Sequence, residues 1–412
     1  MPFLNQRSDG KKMIDKVFKA AVRAHEAKLR DGAEHVVDAT LGTLFDDTGQ
    51  FIAYDSVWDE FDQIDHITKA RYAASIQGNP SYQNAVRQWL FADETMPASI
   101  IATPGGAGAV AATIKNVLDP GSTVIKPSLG WGPYKTMAVE AGMRLRDYNM
   151  FQADHFDLDD FFAVCTDVMT QEGKVLAILN DPCHNPSGYT LDTSEWDDLI
   201  DGINELAEQG PVVLLHDIAY VDYNNDPHWK RNLLRYRDLH PNAMVVIAFS
   251  LSKTLTAYGM RVGAAVAITS DDNERQRFTD AMIYSARSIW STVNNAAMEL
   301  FARITSDEHR ERRFLAEKQA HIAMIQQRAA IFVTEAERVG LDLYPYREGF
   351  FATIRVDERI KESLNEWLAA HNIFLVEVAG GLRVALCSVP KTKLFGLAER
   401  IQFLISQYKK DS

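Results

Sequence analysis

Short apolar runs that each end in a polar or glycine-rich turn constrain the fold of this chain more than any other feature. Runs of this kind occupy residues 99–102, 123–126, 175–179, 212–215 and 244–249. Helical patterns fill the intervals, as at residues 109–118 and 195–208. Short buried strands that alternate with helices are typical of a mainly parallel sheet covered by helices on both faces. The sequence therefore predicts an α/β fold.

The chain is long enough for more than one hydrophobic core. It has 412 residues, and two domains is the natural expectation at this length. Residues 306–338 carry a charged amphipathic pattern without glycine or proline, which predicts a long helix leaving the parallel-sheet domain. Strands are then predicted near residues 350–356 and 382–387, and helices near residues 358–371 and 391–408. These patterns indicate an N-terminal arm that is part of the small domain (residues 1–45), a large domain (residues 46–310) and a smaller α+β domain (residues 311–412).

Composition and charge argue against several classes of protein. A formal net charge of −13 disfavours non-specific binding to nucleic acid. No apolar stretch approaches the ~20 residues that a membrane-spanning helix needs, and residues 1–9 carry charges where a signal peptide would be apolar. Cys165, Cys183 and Cys387 are odd in number and far apart, which favours a reducing compartment and gives no metal or disulfide framework. We therefore expect a cytoplasmic protein with no membrane or nucleic-acid partner.

Chemically useful side chains follow several of the predicted strands. Lys253 lies just beyond the 244–249 run, in a segment rich in hydroxyl residues. A lysine amine can form a Schiff base with a carbonyl, although a surface lysine in a polar loop is the commoner case. Asp217 ends another apolar run, where a carboxylate is costly unless it is paired, although a helix N-cap or turn aspartate is more frequent. Tyr220 follows it closely and could donate a hydrogen bond.

Further positions could contact a ligand at the same edge of the sheet. Residues 105–109 are glycine and alanine only, so the backbone could approach a phosphate at a helix N-terminus. A tight turn is the alternative, and the run does not match a dinucleotide fingerprint. Trp131 offers a flat face, Asn185 a donor, and Arg261 and Arg383 offer guanidinium groups, although each is individually more often a packing, turn or ion-pair residue. Because ligands bind at the carboxyl ends of strands in such sheets, we expect one crevice to contain them.

Three motifs together give the chain a specific resemblance. They are residues 185–188 (Asn-Pro-Ser-Gly), residues 217–220 (Asp-Ile-Ala-Tyr) and residues 250–253 (Ser-Leu-Ser-Lys), the last followed by Tyr258 and Arg261. From about Val37 to the C-terminus, the chain resembles the fold-type I aminotransferases that depend on pyridoxal 5′-phosphate (PLP), class I, the aspartate and aromatic amino acid group. The resemblance implies PLP as cofactor, a fold-type I large domain and a homodimer.

The resemblance also implies a role for each cofactor-binding residue. Lys253 would form the Schiff base with PLP and carry the proton during catalysis, and Asp217 would pair with the pyridine nitrogen. The other cofactor contacts would be Asn185 and Tyr220 at the 3′-oxygen, Trp131 at the ring, and Gly106, Ala107, Ser250 and Arg261 at the phosphate. Tyr72 resembles a tyrosine that reaches the phosphate of the neighbouring subunit.

Three residues are expected to contact the substrate. Arg383 would bind its α-carboxylate, and Gly42 lies in a segment that resembles a substrate-covering loop. Arg287 lies where aspartate aminotransferases carry an arginine for the distal carboxylate, and aromatic aminotransferases can swing that arginine away. A surface ion pair is the alternative explanation for Arg287.

The chain departs from the family pattern in two respects. Gly105 and Ala107 stand where hydroxyl residues are frequent, so phosphate binding would depend on backbone N–H groups, Ser250 and Arg261. Tyr134 stands where aspartate aminotransferases often place a histidine, which weighs against the aspartate-specific subtype.

The expected function is transamination between an L-amino acid, aspartate or aromatic, and a 2-oxo acid such as 2-oxoglutarate. A PLP-dependent C–S β-lyase and an amino acid decarboxylase use the same lysine and aspartate, so they stay open as alternatives. Two non-enzymatic alternatives are a PLP-fold regulatory module, which the net charge disfavours, and an α/β binding protein without PLP.

Overall fold

The computed structural model describes residues 3–4, 8–13, 15–92 and 94–411. Within that part of the chain, the α-helices are α1 (Lys16–Asp31), α2 (Asp55–Asp62), α3 (His66–Ala70), α4 (Pro80–Phe91), α5 (Gly105–Val117), α6 (Pro133–Ala141), α7 (Leu158–Glu172), α8 (Thr193–Ala207), α9 (Leu251–Thr254), α10 (Asp272–Ile289), α11 (Asn295–Thr305), α12 (Glu308–Val339), α13 (Lys361–Ala370), α14 (Lys391–Leu394) and α15 (Leu397–Asp411). The strands are β1 (Val37–Asp38), β2 (Ala98–Thr103), β3 (Thr123–Pro127), β4 (Arg144–Tyr148), β5 (Phe151–Gln152), β6 (His155–Phe156), β7 (Val175–Asn180), β8 (Val212–Asp217), β9 (Ala243–Ser250), β10 (Gly263–Ile268), β11 (Phe351–Arg355), β12 (Ile373–Phe374), β13 (Val376–Val378) and β14 (Gly381–Ala385).

The central sheet has seven strands in the order β2-β10-β9-β8-β7-β3-β4. The pairs from β9 to β4 are all parallel, so the prediction of a mainly parallel sheet is confirmed. Strand β10 is antiparallel to both of its neighbours, and the sequence patterns indicated neither β10 nor β4. A short connection, residues 251–262, joins β9 to β10. It keeps Lys253 and Arg261 at the carboxyl end of β9.

Alternate side chains of β9 enter two different cores. Val245, Ile247 and Phe249 belong to the core on one face of the sheet, and Val246 and Ala248 belong to the core on the other. All five are 0% exposed, which explains why the run is continuously apolar instead of alternating. Fully burying a large apolar side chain contributes roughly 1.5–3 kcal/mol. Helices therefore cover both faces of the sheet, as predicted, with α7, α8 and α11 on the first face and α5, α6 and α10 on the second.

A separate core surrounds the C-terminal sheet. Strands β11, β14 and β13 form an antiparallel sheet, and β1 pairs in parallel with β12. This core combines Val37 and Ala39 near the N-terminus with Phe332 of α12 and Leu382 of β14. The arrangement matches the expected smaller α+β unit beside the α/β sheet. The domain boundaries after residues 45 and 310 stay a prediction.

The predicted long helix is α12, and it contributes to both cores. Phe314 and Ile325 pack in the first core, and Phe332 and Ala336 pack in the C-terminal one. Asp307 caps the helix by accepting from the Arg310 N–H. Among the described helices, none is both long enough and apolar enough to cross a bilayer.

Candidate active site

One cavity of about 200 Å³ lies at the carboxyl ends of β7, β8 and β9. Every predicted cofactor contact except Tyr72 lines it, namely Gly106, Ala107, Trp131, Asn185, Asp217, Tyr220, Ser250, Lys253 and Arg261. A larger depression of about 1210 Å³ beside Trp89 and Arg237 contains none of these residues. The chemical nature of the lining residues, and not the volume of the cavity, therefore identifies the candidate active site.

Lys253 follows β9 in the short helix α9, and its amine is held inside the cavity. Its Nζ donates to the Gly42 carbonyl oxygen at 2.8 Å and lies 4.3 Å from the centroid of the Tyr258 ring. Burial lowers the pKa of the Lys253 amine to about 7, and the positive charges of Arg383 and Arg261 act in the same direction. A large fraction of this amine is therefore neutral at physiological pH and can act as a nucleophile.

Asp217 is the last residue of β8, and its carboxylate is held by two neutral donors. Oδ2 accepts from the Tyr134 hydroxyl at 2.7 Å, and Oδ1 accepts from the Ala219 N–H at 3.0 Å. Burial raises the pKa of Asp217, and both hydrogen bonds oppose that rise. Burial also raises the pKa of Tyr134 well above its usual value, so this residue stays a neutral donor. Tyr134 thus lies directly behind Asp217, at the position where the sequence pattern departs from the family.

Asn180 joins two of the predicted site segments. It ends β7, directly beside Asp217 in the sheet register. Its Nδ2 donates to the Asp217 backbone carbonyl at 2.8 Å, and its Oδ1 accepts from the Asn185 N–H at 2.8 Å. Sequence reasoning did not select Asn180. The available signal was an amide that ends an apolar strand next to the strand of Asp217.

Arg383 lies buried in β14 beside the cavity. Its Nη1 donates to Asn185 Oδ1 at 3.2 Å and its Nη2 to the Thr40 carbonyl at 2.8 Å, while the guanidinium lies 4.2 Å from the Phe351 ring centroid. Its Nε has no hydrogen-bond partner among the described residues. Because an unpaired buried donor is costly, Arg383 is suited to bind an anion that enters the site.

Several hydrogen-bond donors lie at the end of the cavity near α5. Gly105 and Gly106 begin this helix, where backbone N–H groups have no partner within the helix. A Cβ on Gly105 would lie 2.8 Å from Nη2 of Arg261, and one on Gly106 would lie 3.3 Å from the Ser250 Cβ. Arg261 Nη1 also donates to Ser252 Oγ at 3.1 Å. Because Gly105 and Gly106 have no side chains, the Arg261 guanidinium and the hydroxyl groups of Ser250 and Ser252 lie close to the N-terminus of α5. This arrangement is favourable for binding a phosphate.

Aromatic side chains form the remaining walls. Trp131 meets Tyr134 edge to face, with ring centroids 5.3 Å apart. Tyr220 packs against Phe350 and Phe351. Tyr258, to which the motif gives no role, accepts a hydrogen bond from the Leu44 N–H at 3.1 Å, and its ring lies 4.3 Å from Lys253 Nζ.

Gly42 and Arg383 adjoin the cavity through their contacts with Lys253 and Asn185, whereas the two other predicted residues lie apart from it in this chain. Tyr72 is 85% exposed. Arg287 is exposed on α10, where its Nη1 donates to Ser291 Oγ at 2.6 Å. The expected contact of Tyr72 is with the neighbouring subunit, and the roles of Tyr72 and Arg287 stay predictions.

Comparison with known proteins supports the resemblance seen in the motifs. The family model for aminotransferase class I and II matches residues 35–401. An aspartate aminotransferase of Salmonella typhi is 24% identical over 280 residues, which cover 66% of this chain and 69% of that protein. An aromatic-amino-acid aminotransferase of Escherichia coli K12 is 23% identical over 312 residues, which cover 72% of this chain and 77% of that protein.

Solved structures have the same fold. The crystal structure of an aminotransferase from Anaerococcus prevotii gives a TM-score of 0.94 at 33% identity and covers 98% of this chain and 99% of that one. An aromatic-amino-acid aminotransferase from Burkholderia pseudomallei, covalently bound to pyridoxal phosphate, gives a TM-score of 0.79 at 19% identity and covers 97% and 100% of the two chains. The predictions of an α/β fold of this type and of an enzyme are confirmed, because the chain belongs to the class I and II aminotransferases.

Proposed function

We propose that this aminotransferase uses PLP to move an amino group between an L-amino acid, aspartate or aromatic, and a 2-oxo acid such as 2-oxoglutarate. One observation carries the proposal: a single cavity combines the Lys253 amine, the buried Asp217 carboxylate and the donor-rich beginning of α5. The names of the relatives, aspartate and aromatic-amino-acid aminotransferases, support this choice of substrates.

The cavity residues fit PLP at three points. The bare backbone of Gly106, with Ser250 and Arg261, provides a cradle that a Cβ would partly fill. Asp217 is a buried carboxylate whose two donors, Tyr134 and Ala219, are neutral, so a cationic ring nitrogen would offset the cost of its burial. Lys253 offers a primary amine whose pKa is lowered to about 7.

Each cavity residue would have a separate role in the reaction. When bound, PLP supplies an electron-withdrawing ring that stabilises negative charge at the α-carbon of the amino acid. Asp217 would keep the ring nitrogen protonated, and Asn185 and Tyr220 would hold the 3′-oxygen. Lys253 Nζ would take the proton from the α-carbon and deliver it to the C4′ carbon of the cofactor, since a base with a pKa near 7 both accepts and donates protons at neutral pH. Trp131 would pack on the ring, and Ala107 would add a backbone donor for the phosphate.

Substrate recognition is assigned to Arg383, Gly42 and Arg287. Arg383 has an unpaired buried Nε and would bind the α-carboxylate, since a guanidinium forms paired hydrogen bonds with a carboxylate. The Gly42 carbonyl lies 2.8 Å from Lys253 Nζ, so a substrate would occupy the space beside it. Arg287 would bind a distal carboxylate from the neighbouring subunit.

We also propose a homodimer located in the cytoplasm. The large apolar residues Ile67, Tyr72, Tyr284 and Ile289 are exposed in the single chain. A subunit interface that covered these residues would remove their apolar surface from water, which is favourable. The free cysteines are compatible with a reducing compartment.

The test starts from the purified chain reconstituted with PLP. A panel of amino donors is incubated with 2-oxoglutarate, and glutamate formation is measured beside the absorbance of the half-reaction with each donor. Lys253→Ala is the matched control for lysine-dependent chemistry. Glutamate formed only by the unaltered chain is the expected result. Release of pyruvate and ammonia from cysteine conjugates without glutamate would identify a β-lyase instead, and the absence of any PLP absorbance band would refute the use of the cofactor.

A further inference from the structure

The segment of residues 40–47 contacts three side chains of the candidate active site. The Thr40 carbonyl accepts from Arg383 Nη2 at 2.8 Å, and the Gly42 carbonyl accepts from Lys253 Nζ at 2.8 Å. The Leu44 N–H donates to the Tyr258 hydroxyl at 3.1 Å. All three contacts use backbone atoms of the segment. The position of the backbone, and not the identity of its side chains, therefore determines these contacts.

A buried arginine of α12 holds the far end of this segment. Arg328 is 0% exposed. Its Nη1 donates to the carbonyls of Phe45 and Cys387 at 2.9 and 3.0 Å. Its Nε and Nη2 donate to Asp47 Oδ1 at 3.2 and 2.7 Å. The guanidinium thus connects the 40–47 segment with the chain that follows β14, the strand of Arg383.

The same junction contains two further bonds. The Phe45 N–H donates to the Cys387 carbonyl at 3.1 Å, and Asp47 Oδ1 also accepts from the Lys391 N–H at 2.8 Å. The Asp47 side chain is 43% exposed. Because Arg328 alone contacts both carbonyls and the carboxylate, its removal would take away the Arg328 donor from the Phe45 carbonyl and leave the Cys387 carbonyl and Asp47 with one donor fewer. The 40–47 segment would then be held by fewer bonds.

We propose that Arg328 is a positioning residue, which fixes the 40–47 segment against Lys253 and Arg383 and so determines the geometry in which the substrate is held. The inference rests on the proposed function, since it assigns Arg328 to the same site. Arg328 touches neither the cavity lining nor the reacting atoms, and it acts through Gly42 and Leu44. A misplacement of about 1 Å in a substrate-positioning group can lower the rate by about 100-fold.

The experiment compares Arg328→Met, Arg328→Lys and Asp47→Asn with a matched control on the same helix. The control is Arg338→Met, which removes an arginine that forms only surface ion pairs with Glu335 and Glu399. We expect kcat/KM to fall by about 10- to 100-fold in Arg328→Met, with partial recovery in Arg328→Lys and an intermediate loss in Asp47→Asn. Arg338→Met should match the unaltered enzyme.

Two readouts separate positioning from a general loss of stability. In the apoenzyme, amide hydrogen exchange should rise in the peptide that covers residues 40–47 and stay unchanged in the strands of the central sheet. Also in the apoenzyme, the inflection in the pH profile of Schiff-base formation with PLP, which belongs to the free Lys253 amine, should move to higher pH, because water reaches an amine whose lowered pKa depends on burial. The other groups around Lys253 (Tyr220, Tyr258, Arg261, Arg383 and Cys387) are unchanged in every variant.

The outcomes are distinguishable. Equal exchange and equal pH profiles in Arg328→Met and Arg338→Met would overturn the inference, as would a uniform rise in exchange with an unmoved inflection. If Arg328→Met does not fold, Asp47→Asn decides the question, because its carboxylate is partly exposed. If the unaltered chain fails to transaminate, the proposed function is wrong, and the exchange experiment still decides whether Arg328 fixes the segment.

Discussion

Replacing Tyr134 with phenylalanine removes one hydroxyl group behind Asp217 and keeps the aromatic ring in place. That hydroxyl donates to Asp217 Oδ2 at 2.7 Å, and Tyr134 is 0% and Asp217 6% exposed. A hydrogen bond to a charged group contributes about 1.5–3 kcal/mol, and about 1.4 kcal/mol corresponds to a tenfold change in a binding constant. Since an ionised Asp217 is the proposed partner of the pyridine nitrogen, Tyr134→Phe should weaken PLP binding by about 10- to 100-fold.

The assay is a titration of the apoenzyme with PLP, followed by absorbance. Tyr148→Phe is the matched control, because Tyr148 is also a buried tyrosine but donates to the Ile178 carbonyl at 3.1 Å instead of to Asp217. The control should bind PLP as the unaltered chain does. Equal affinities for the two variants would refute the reasoning, because they would show that the Tyr134 hydroxyl does not stabilise the charge on Asp217.

The buried Asp217 carboxyl group also predicts a pH dependence of apoenzyme stability. Burial raises the pKa of Asp217, so the folded state binds this proton more tightly than the unfolded state does. The free energy of unfolding should therefore decrease as the pH rises from the ordinary aspartate pKa through the raised one. Tyr134→Phe raises this pKa further and should deepen the decrease, whereas Asp217→Asn should abolish it. Thermal unfolding of the apo forms from about pH 4 to about pH 8 measures this change in stability. Parallel curves of stability against pH for the unaltered chain, Tyr134→Phe and Asp217→Asn would contradict the prediction.

The remaining predictions concern Lys253, Arg287 and the proposed homodimer. Lys253→Ala should fold but lose covalent attachment of PLP, and borohydride reduction with peptide mapping of the unaltered chain should label Lys253 and no other lysine. Because burial lowers the pKa of Lys253 to about 7, the condensation of the apoenzyme with PLP should accelerate as the pH rises through that value; a pH-independent rate would contradict this. Arg287→Leu should lower activity with dicarboxylic donors by about 100-fold and affect aromatic donors less, so an equal loss for both would make Arg287 structural. Sedimentation should give a dimer, and a fully active monomer would exclude the interface role of Tyr72.

The order of the strands made much of the site predictable. Asn185, Asp217 and Lys253 each follow a separate apolar run of the sequence. In a parallel sheet, the turns after successive strands open at one edge, so residues distant in the chain are brought into one cavity. The three motifs added chemical specificity to this geometric expectation.

Other features depend on contacts that leave no local signal. Strand β10 reads as an apolar run whether it is parallel or antiparallel, and only its pairing with β9 and β2 decides the direction. Tyr72 and Arg287 lie outside the cavity of a single chain, because a sequence motif does not state which subunit completes a site.

The sequence by itself determined the α/β class and the strand-end residues and predicted the chemistry of Lys253 and Asp217, because periodicity and motif spacing are local properties of the chain. Only the tertiary structure decided that Tyr134 holds Asp217 and that Arg328 holds a segment 281 residues away at Asp47. Burial explains the difference. A hydroxyl or a guanidinium group stabilises a carboxylate strongly only where the fold excludes water and brings the two groups together. No local pattern of residues in the chain specifies the distance between two such groups.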